Sequence, residues 1–239
     1  MQNHLQLWDD LLPLYLSVPI IFTSDKKDNI TYASVEKSIP VSFVYETISK
    51  VLLSGTSTNN RVFIAFPTDT LLYKKEYAEM MNPTIEKYGQ IEWKAITMTN
   101  EIHGHTGIYS IIGAKMGIRA IEYFNVGVNN LKVKTFVGYG PPLSCLNDGI
   151  QISTGATIGQ GLITVSDTVL QIPTVIFEFN KQKIRMSLND KIAKQMENDL
   201  KQGVANYGMT DKYWLYIEEL AIKYWADFDR HEIFMIEKI

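Results

Sequence analysis

Ile102-His103-Gly104-His105-Thr106-Gly107, running directly into the apolar segment Ile108 to Phe124, is the stretch on which the reading of this chain turns. From Thr106 onward the pattern is helical. Ile108, Ile112, Met116, Ala120 and Phe124 recur at every fourth residue and make one apolar stripe, while Lys115, Arg119 and Glu122 mark a wet face. Thr106 is placed to cap this helix. Gly113 and Gly117 fall four apart on another side, where each costs a helix about 1 kcal/mol relative to Ala. That cost is offset where another backbone comes close, so the helix is expected to pack tightly on a neighbouring element or on a second subunit.

Upstream of the histidines, Arg61 to Phe66 reads as a buried strand, because a short apolar run bounded by Asn59-Asn60 and Pro67 fits a strand better than a helix. A helix from about Asp69 to Met81 follows, and Glu92 to Met98 reads as a second strand. Together they predict a strand-helix-strand unit with a parallel crossover, and the histidine pair falls just beyond its second strand, where such sheets commonly place ligands. Further back, a helical pattern runs from Pro40 to Gly55. Residues 1 to 40 alternate apolar bursts with the polar turn Asp25-Lys26-Lys27-Asp28-Asn29 and predict short strands or irregular structure.

Downstream, Leu131 to Val137 alternates as a strand, Gly138 to Pro142 forces a turn, and Ser144 is placed to cap a short helix through Ile152. Thr154 to Gly161 is a glycine-rich loop leading into a strand, Leu162 to Val165. Its backbone N–H groups, with Thr154 and Gly155 as the ligand-binding candidates, could cradle an anion, but it has neither the Gly-Lys-Ser/Thr of a phosphate loop nor the helix that would follow one, and a turn before a strand is the better reading. Val175, Phe177 and Phe179, then Ile184, Met186 and Leu188, alternate about Asn180-Lys181-Gln182 as a hairpin. Asn189 to Gln202 predicts a helix ended by Gly203. A last helix from Thr210 carries Trp214, Ile217, Ala221, Tyr224, Trp225 and Phe228 on one face, read as core or subunit packing.

With 239 residues, 46% of them hydrophobic and 21% charged, the chain has the composition of a folded protein with a full core. A net charge of −3 gives nucleic acid and anionic lipid no long-range attraction, so neither is an expected partner. The apolar run Leu11 to Phe22 is preceded by Asp9 and Asp10 and interrupted by Pro13 and Pro19. It reads as neither a signal peptide nor a membrane span. One cysteine excludes an internal disulfide framework and suits a reducing compartment, so a cytoplasmic location is expected.

Chemistry concentrates in few residues. On an extended backbone, His103 and His105 put both imidazoles on one face, the arrangement a His-x-His pair offers to a metal; the alternative is a pair of hydrogen-bonded or capping loop histidines. The following helix N-terminus disfavours imidazolium and keeps a neutral ligand available. Cys145 falls in the first turn of its helix if Ser144 is the cap, which lowers thiol pKa; alternatively it is a small buried hydrophobe. Asp148 is placed to orient a histidine or simply to favour the helix start. His4 and His231 belong to no pattern.

Taken together, His103-Gly104-His105, the small residues Gly113, Ala114 and Gly117, Cys145 with Asp148-Gly149-Ile150-Gln151, and Thr154-Gly155-x-Thr157-x-Gly159-x-Gly161 resemble the FmdE family, named for a protein encoded together with molybdenum formylmethanofuran dehydrogenase. The resemblance covers about residues 100–188. It implies an α+β fold, a mixed sheet packed with helices, in microbial proteins that are commonly dimeric and carry a metal-associated His/Cys site. It departs at Gly107 and Ala156, where family members usually carry cysteine. The chain is then expected to be a single α+β domain over 1–239, with an N-terminal α/β part (1–98), the FmdE-like core (99–188) and a C-terminal helical part (189–239). The implied function is binding of a divalent transition metal, zinc foremost, through His103, His105 and Cys145, with a small-molecule ligand at an open position and Asp148 as second-shell partner or general base. Two alternatives stand beside it: a metal-free thiol enzyme with Cys145 as nucleophile and Asp148 as orienter of its histidine base, and a homodimeric assembly protein without chemistry.

Overall fold

Pairing of Phe22–Lys27 (β1) with Ile30–Val35 (β2) forms a small antiparallel hairpin, in register from Phe22 opposite Val35 to Lys27 opposite Ile30. It belongs to the first of two compact units, Met1–Pro67 and Thr68–Ile239, and each unit is described by itself. The structure is a computed structural model, and it describes residues 22–27, 30–35, 62–170 and 172–239. The helix expected over Pro40 to Gly55 lies outside the described residues. Between Val62 and Phe66 the expected buried strand does not form: no pairing is made there, Val62 and Ile64 are exposed, and Phe66 alone of the run is buried. Apolar residues without a partner edge carry no strand information, which is why the run misleads.

In the second unit a 3₁₀ turn, Thr70–Leu72, is capped by Asp69 and leads into Lys75–Tyr88 (α1). The helix therefore starts later and runs further than the sequence suggests, carrying Pro83 within it. Gln90–His103 (α2) replaces the strand expected at Glu92 to Met98. The residues it buries are Glu92, Trp93, Ala95, Ile96 and Thr99, a spacing of three and four that a seven-residue window hides. Gly89 and Gly104, both at positive φ, bound it.

Ile108–Phe124 (α3) is the buried spine of this unit. Thr106 does not cap it; the N-cap is Gly107, with no side-chain bond. Lys115, expected on the wet face, is fully buried and ion-paired with Glu92 of α2, 2.5 Å away. The glycine spacing does mark a close approach: a Cβ on Gly113 would strike the carbonyl of Leu146, and one on Gly117 the hydroxyl of Ser153. Both belong to Leu146–Thr154 (α4), whose own Gly149 lies against Ser110 and Ala114 in return. The neighbour is thus an element of the same chain.

Lys132–Thr135 (β3), Ile163–Val165 (β4), Thr174–Phe179 (β5), Gln182–Leu188 (β6) and Phe234–Lys238 (β7) form a sheet in the order β4-β3-β5-β6-β7. β3 and β4 are parallel, with α4 as their crossover; the other pairs are antiparallel. Phe177, Ile184 and Met186 are buried as their alternation requires. Asn180 and Lys181, both at positive φ, turn the β5–β6 hairpin.

Asp190–Tyr207 (α5) passes through Gly203, the residue expected to end it, because that glycine lets the Tyr216 ring come within 2.6 Å of where a Cβ would stand. Asp211–Asp227 (α6) buries Ile217, Ala221, Tyr224 and Trp225 as its stripe predicts, though Trp214 is 53% exposed. β7 is a strand that the sequence reading lacks, although Ile233-Phe234-Met235-Ile236 is the apolar run that signals it. Among the described residues, then, six helices, a five-stranded mixed sheet and a hairpin make an α+β architecture. No helix among them is long and apolar enough to cross a membrane.

Candidate functional site

His103 is the last residue of α2, and Gly104, in the left-handed region at φ 81°, stops the helix behind it by donating its N–H to Asn100 O. The imidazoles thus leave a helix end, not a strand end. The rings of His103 and His105 lie 4.3 Å apart, centroid to centroid, at 42°. Across from them, the close packing of Gly149 on α3 brings the first turn of α4 to the end of α2. Asp148 on that turn accepts a hydrogen bond from His103 Nδ1 at 2.8 Å.

That bond sets the ring's orientation. In the neutral ring with Nδ1–H given to the carboxylate, the lone pair lies on Nε2. The His103 side chain is only 10% exposed, and Nε2 is buried with no hydrogen-bond partner. His105 is held below the usual histidine pKa, chiefly by burial and then by the neighbouring His103 imidazole, with Glu218 of α6 acting the other way. Burial therefore favours a neutral His105.

The loop between α2 and α3 is pinned from both sides. Thr106 is hydrogen-bonded to Tyr77 of α1, and Ser110 Oγ bonds Gly107 O at 2.8 Å and Asn100 Oδ1 at 3.1 Å. A Cβ at Gly107 would stand 3.1 Å from His103 Nε2 and 2.8 Å from Ser110 Oγ. Tyr77, Asn100, Ser110 and Glu218 do not stand out in the sequence; only α2 being a helix, with Asn100 one turn before His103, gives their roles away.

Cys145 departs from expectation. Ser144 is no cap: it lies inside a 3₁₀ turn, Leu143–Cys145, and Cys145 itself takes the N-cap position of α4. Burial, and then the charge of Asp148, push the thiol above its ordinary pKa, opposite to the lowering predicted for a helix start. Cys145 lines an open cleft with Tyr139, Ser144, Asp148, Gln151 and Ile158, and neither histidine lines it. Asp148 belongs to both places. Thr154 and Gly155 complete the helix end: Thr154 Oγ1 donates to Ile150 O at 2.6 Å, and Gly155 is the left-handed C-cap against Asn129. They are not part of the cleft lining.

Among the described residues no three His, Cys, Asp or Glu side chains converge as a complete ligand set. The donors that fit a divalent transition metal are the imidazoles, above all the buried and unpartnered Nε2 of His103 behind its carboxylate.

A family model described as "FmdE, Molybdenum formylmethanofuran dehydrogenase operon" matches residues 102–228, more than half of the chain. No curated protein matches.

Proposed function

Because the chain belongs to the FmdE family, we propose that it binds a divalent transition metal, zinc foremost, through His103 and His105, and presents it to a small-molecule ligand. The observation that carries this reading is the placement of His103: one ring nitrogen 2.8 Å from Asp148, the other buried and without a hydrogen-bond partner among the described residues. A buried acceptor left unpaired costs about 1–3 kcal/mol, and a metal ion removes that cost. Carboxylate–histidine pairs of this kind set the tautomer and raise the basicity of a metal-bound imidazole. His105 supplies the second nitrogen, kept neutral by its surroundings. When bound, the metal supplies a Lewis acid. The chain supplies two nitrogens and a carboxylate that orients one of them.

We leave Cys145 outside this donor set because it lines a cleft that neither histidine lines. Metal analysis of protein purified without a nickel column tests the proposal. Wild type is expected to retain zinc or to take up cobalt stoichiometrically, and His103→Ala and His105→Ala to lose it. Uptake by wild type that both variants match, or no uptake at all, ends it.

A further inference from the structure

The edge strand β4 and the first turns of α4 face each other across an open cleft of about 230 Å³, which the metal reading does not use. Alternation along β4 turns Ile163 and Val165 into it, while Thr164 between them is exposed. From the other side Cys145, Asp148 and Gln151, three residues apart, line it along one face of the helix. Two amides hold the walls in place. Asn147 Oδ1 accepts from Thr135 Oγ1 at 2.7 Å and its Nδ2 donates to Gly138 O at 3.1 Å, which seats the turn that carries Tyr139. Gln151 Oε1 accepts the N–H of Ile158 at 3.2 Å. Tyr139 and Ile158, 69% and 67% exposed, form an apolar lip around the opening.

Among the described residues the lining holds one charged side chain, Asp148, and no cation. Asp148 Oδ2 is tied to His103 Nδ1 at 2.8 Å, and Oδ1 makes no hydrogen bond among the described residues. The carboxylate is thus oriented by His103 with one oxygen left over. Its charge is felt inside the cleft, where burial first and Asp148 second push the Cys145 thiol above its ordinary pKa. The volume falls below the roughly 300–1,000 Å³ of pockets that take drug-sized ligands, so the occupant is small.

We propose that this cleft binds a small organic ammonium ion, which donates an N–H to Asp148 Oδ1 and packs a short apolar body on Ile163 and Val165 beneath the Tyr139–Ile158 lip. An anion is repelled by Asp148, and a neutral molecule of the same shape forgoes the charge-assisted hydrogen bond. Because His103 already holds the carboxylate, little side-chain freedom is lost when the ligand arrives. Neither histidine lines the cleft, so the inference stands apart from any metal at His103.

The probes are n-butylammonium and its neutral counterpart n-butanol, titrated into the full chain without added metal and followed by saturation-transfer NMR of the ligand. Butylammonium is expected to bind saturably and about tenfold or more tighter than butanol, the worth of a hydrogen bond to a charged group. Asp148→Asn keeps the shape and removes the charge; it is expected to bring butylammonium down to the level of butanol, with butanol itself unchanged within about twofold. Exhaustive carboxamidomethylation of Cys145, the chain's sole cysteine, fills the cleft from its helix side and is expected to abolish binding of both probes, which locates the ligand. Equal affinity for the two probes, butylammonium binding that survives either change, or no saturable binding to wild type overturns the inference.

Discussion

His103 Nδ1 and Asp148 Oδ2 lie 2.8 Å apart and join the end of α2 to the first turn of α4. Forty-five positions separate them in the chain. If that carboxylate orients a metal-binding ring, its removal weakens the metal without unfolding the protein, because Asp148 is 38% exposed and buries little on its own. Asp148→Ala is expected to lower cobalt or zinc affinity about 10- to 100-fold, the range seen when such outer carboxylates are lost, with a thermal midpoint close to wild type. Competition with a chromogenic chelator measures it. Unchanged affinity would show that the pair serves the helix contact alone.

Cys145 separates the metal reading from a thiol enzyme. Its thiol is raised by burial first and by Asp148 second. Only the thiolate is alkylated. Iodoacetamide near neutral pH is therefore expected to label Cys145 more slowly than a free thiol, and Asp148→Asn, which removes the negative charge, is expected to speed it. Labelling faster than a free thiol, slowed by the same substitution, would instead mark a nucleophile activated by its surroundings.

Gly107 stands where relatives usually carry cysteine, and its backbone, at φ −102°, is open to any residue. A Cβ there would lie 3.1 Å from His103 Nε2, so a thiol would enter the same space as the unpartnered nitrogen. The Ser110 hydroxyl, 2.8 Å from that Cβ, has to rotate away from Gly107 O and Asn100 Oδ1, which costs the variant about 1–3 kcal/mol of stability. Gly107→Cys is expected to bind cobalt more tightly than wild type and to add a thiolate-to-cobalt charge-transfer band. A variant that folds without either gain would move the metal away from His103.

Period and turn chemistry carry most of the fold in the sequence. The α3 stripe, the β5–β6 hairpin and the glycines that face α4 are legible because local spacing decides them. The α2 segment misleads because Glu92 is a charged residue facing inward, and the Lys115 and Arg230 that make this tolerable are distant in sequence. The same blindness hides the site's supports. His103 and Asp148 stand out as residue types, yet their contact depends on how α2, α3 and α4 pack. For Cys145 the expected shift has the wrong sign because a capping pattern reads as a helix start, whereas burial decides its pKa.

Gly149 controls that packing. A Cβ on it would collide with Ser110 O and Ala114 N, backbone atoms of α3 that cannot yield separately from the helix. Gly149→Ala is expected to cost about 3 kcal/mol or more, at the upper end for overpacked positions, and to weaken metal binding by pushing Asp148 off His103. Gly159→Ala is the control, since the nearest atom to its Cβ would be 4.0 Å away. Urea unfolding of both variants measures the difference. Equal midpoints would mean that α3 and α4 are free to separate.

Lys115, fully buried on α3, owes its charge to Glu92 of α2. One Glu92 oxygen lies 2.5 Å from Lys115 Nζ and the other 3.0 Å from Arg230, which also binds Glu122 at 2.6 Å. Burial holds the lysine below its usual pKa, with Glu92 acting against that shift. Glu92→Gln removes the opposing charge and leaves an ammonium in apolar surroundings, an expected loss of about 3–5 kcal/mol. The sign of its pH dependence follows. A lysine depressed in the folded state binds fewer protons there than when unfolded, so the variant regains stability as pH rises toward the ordinary lysine range and loses it as pH falls. Lys115→Met in the same background removes the stranded charge and is expected to recover most of the loss, leaving Arg230 with Glu122. Urea midpoints across alkaline pH distinguish this from a loss of packing alone, which would be flat with pH and would not respond to the second substitution.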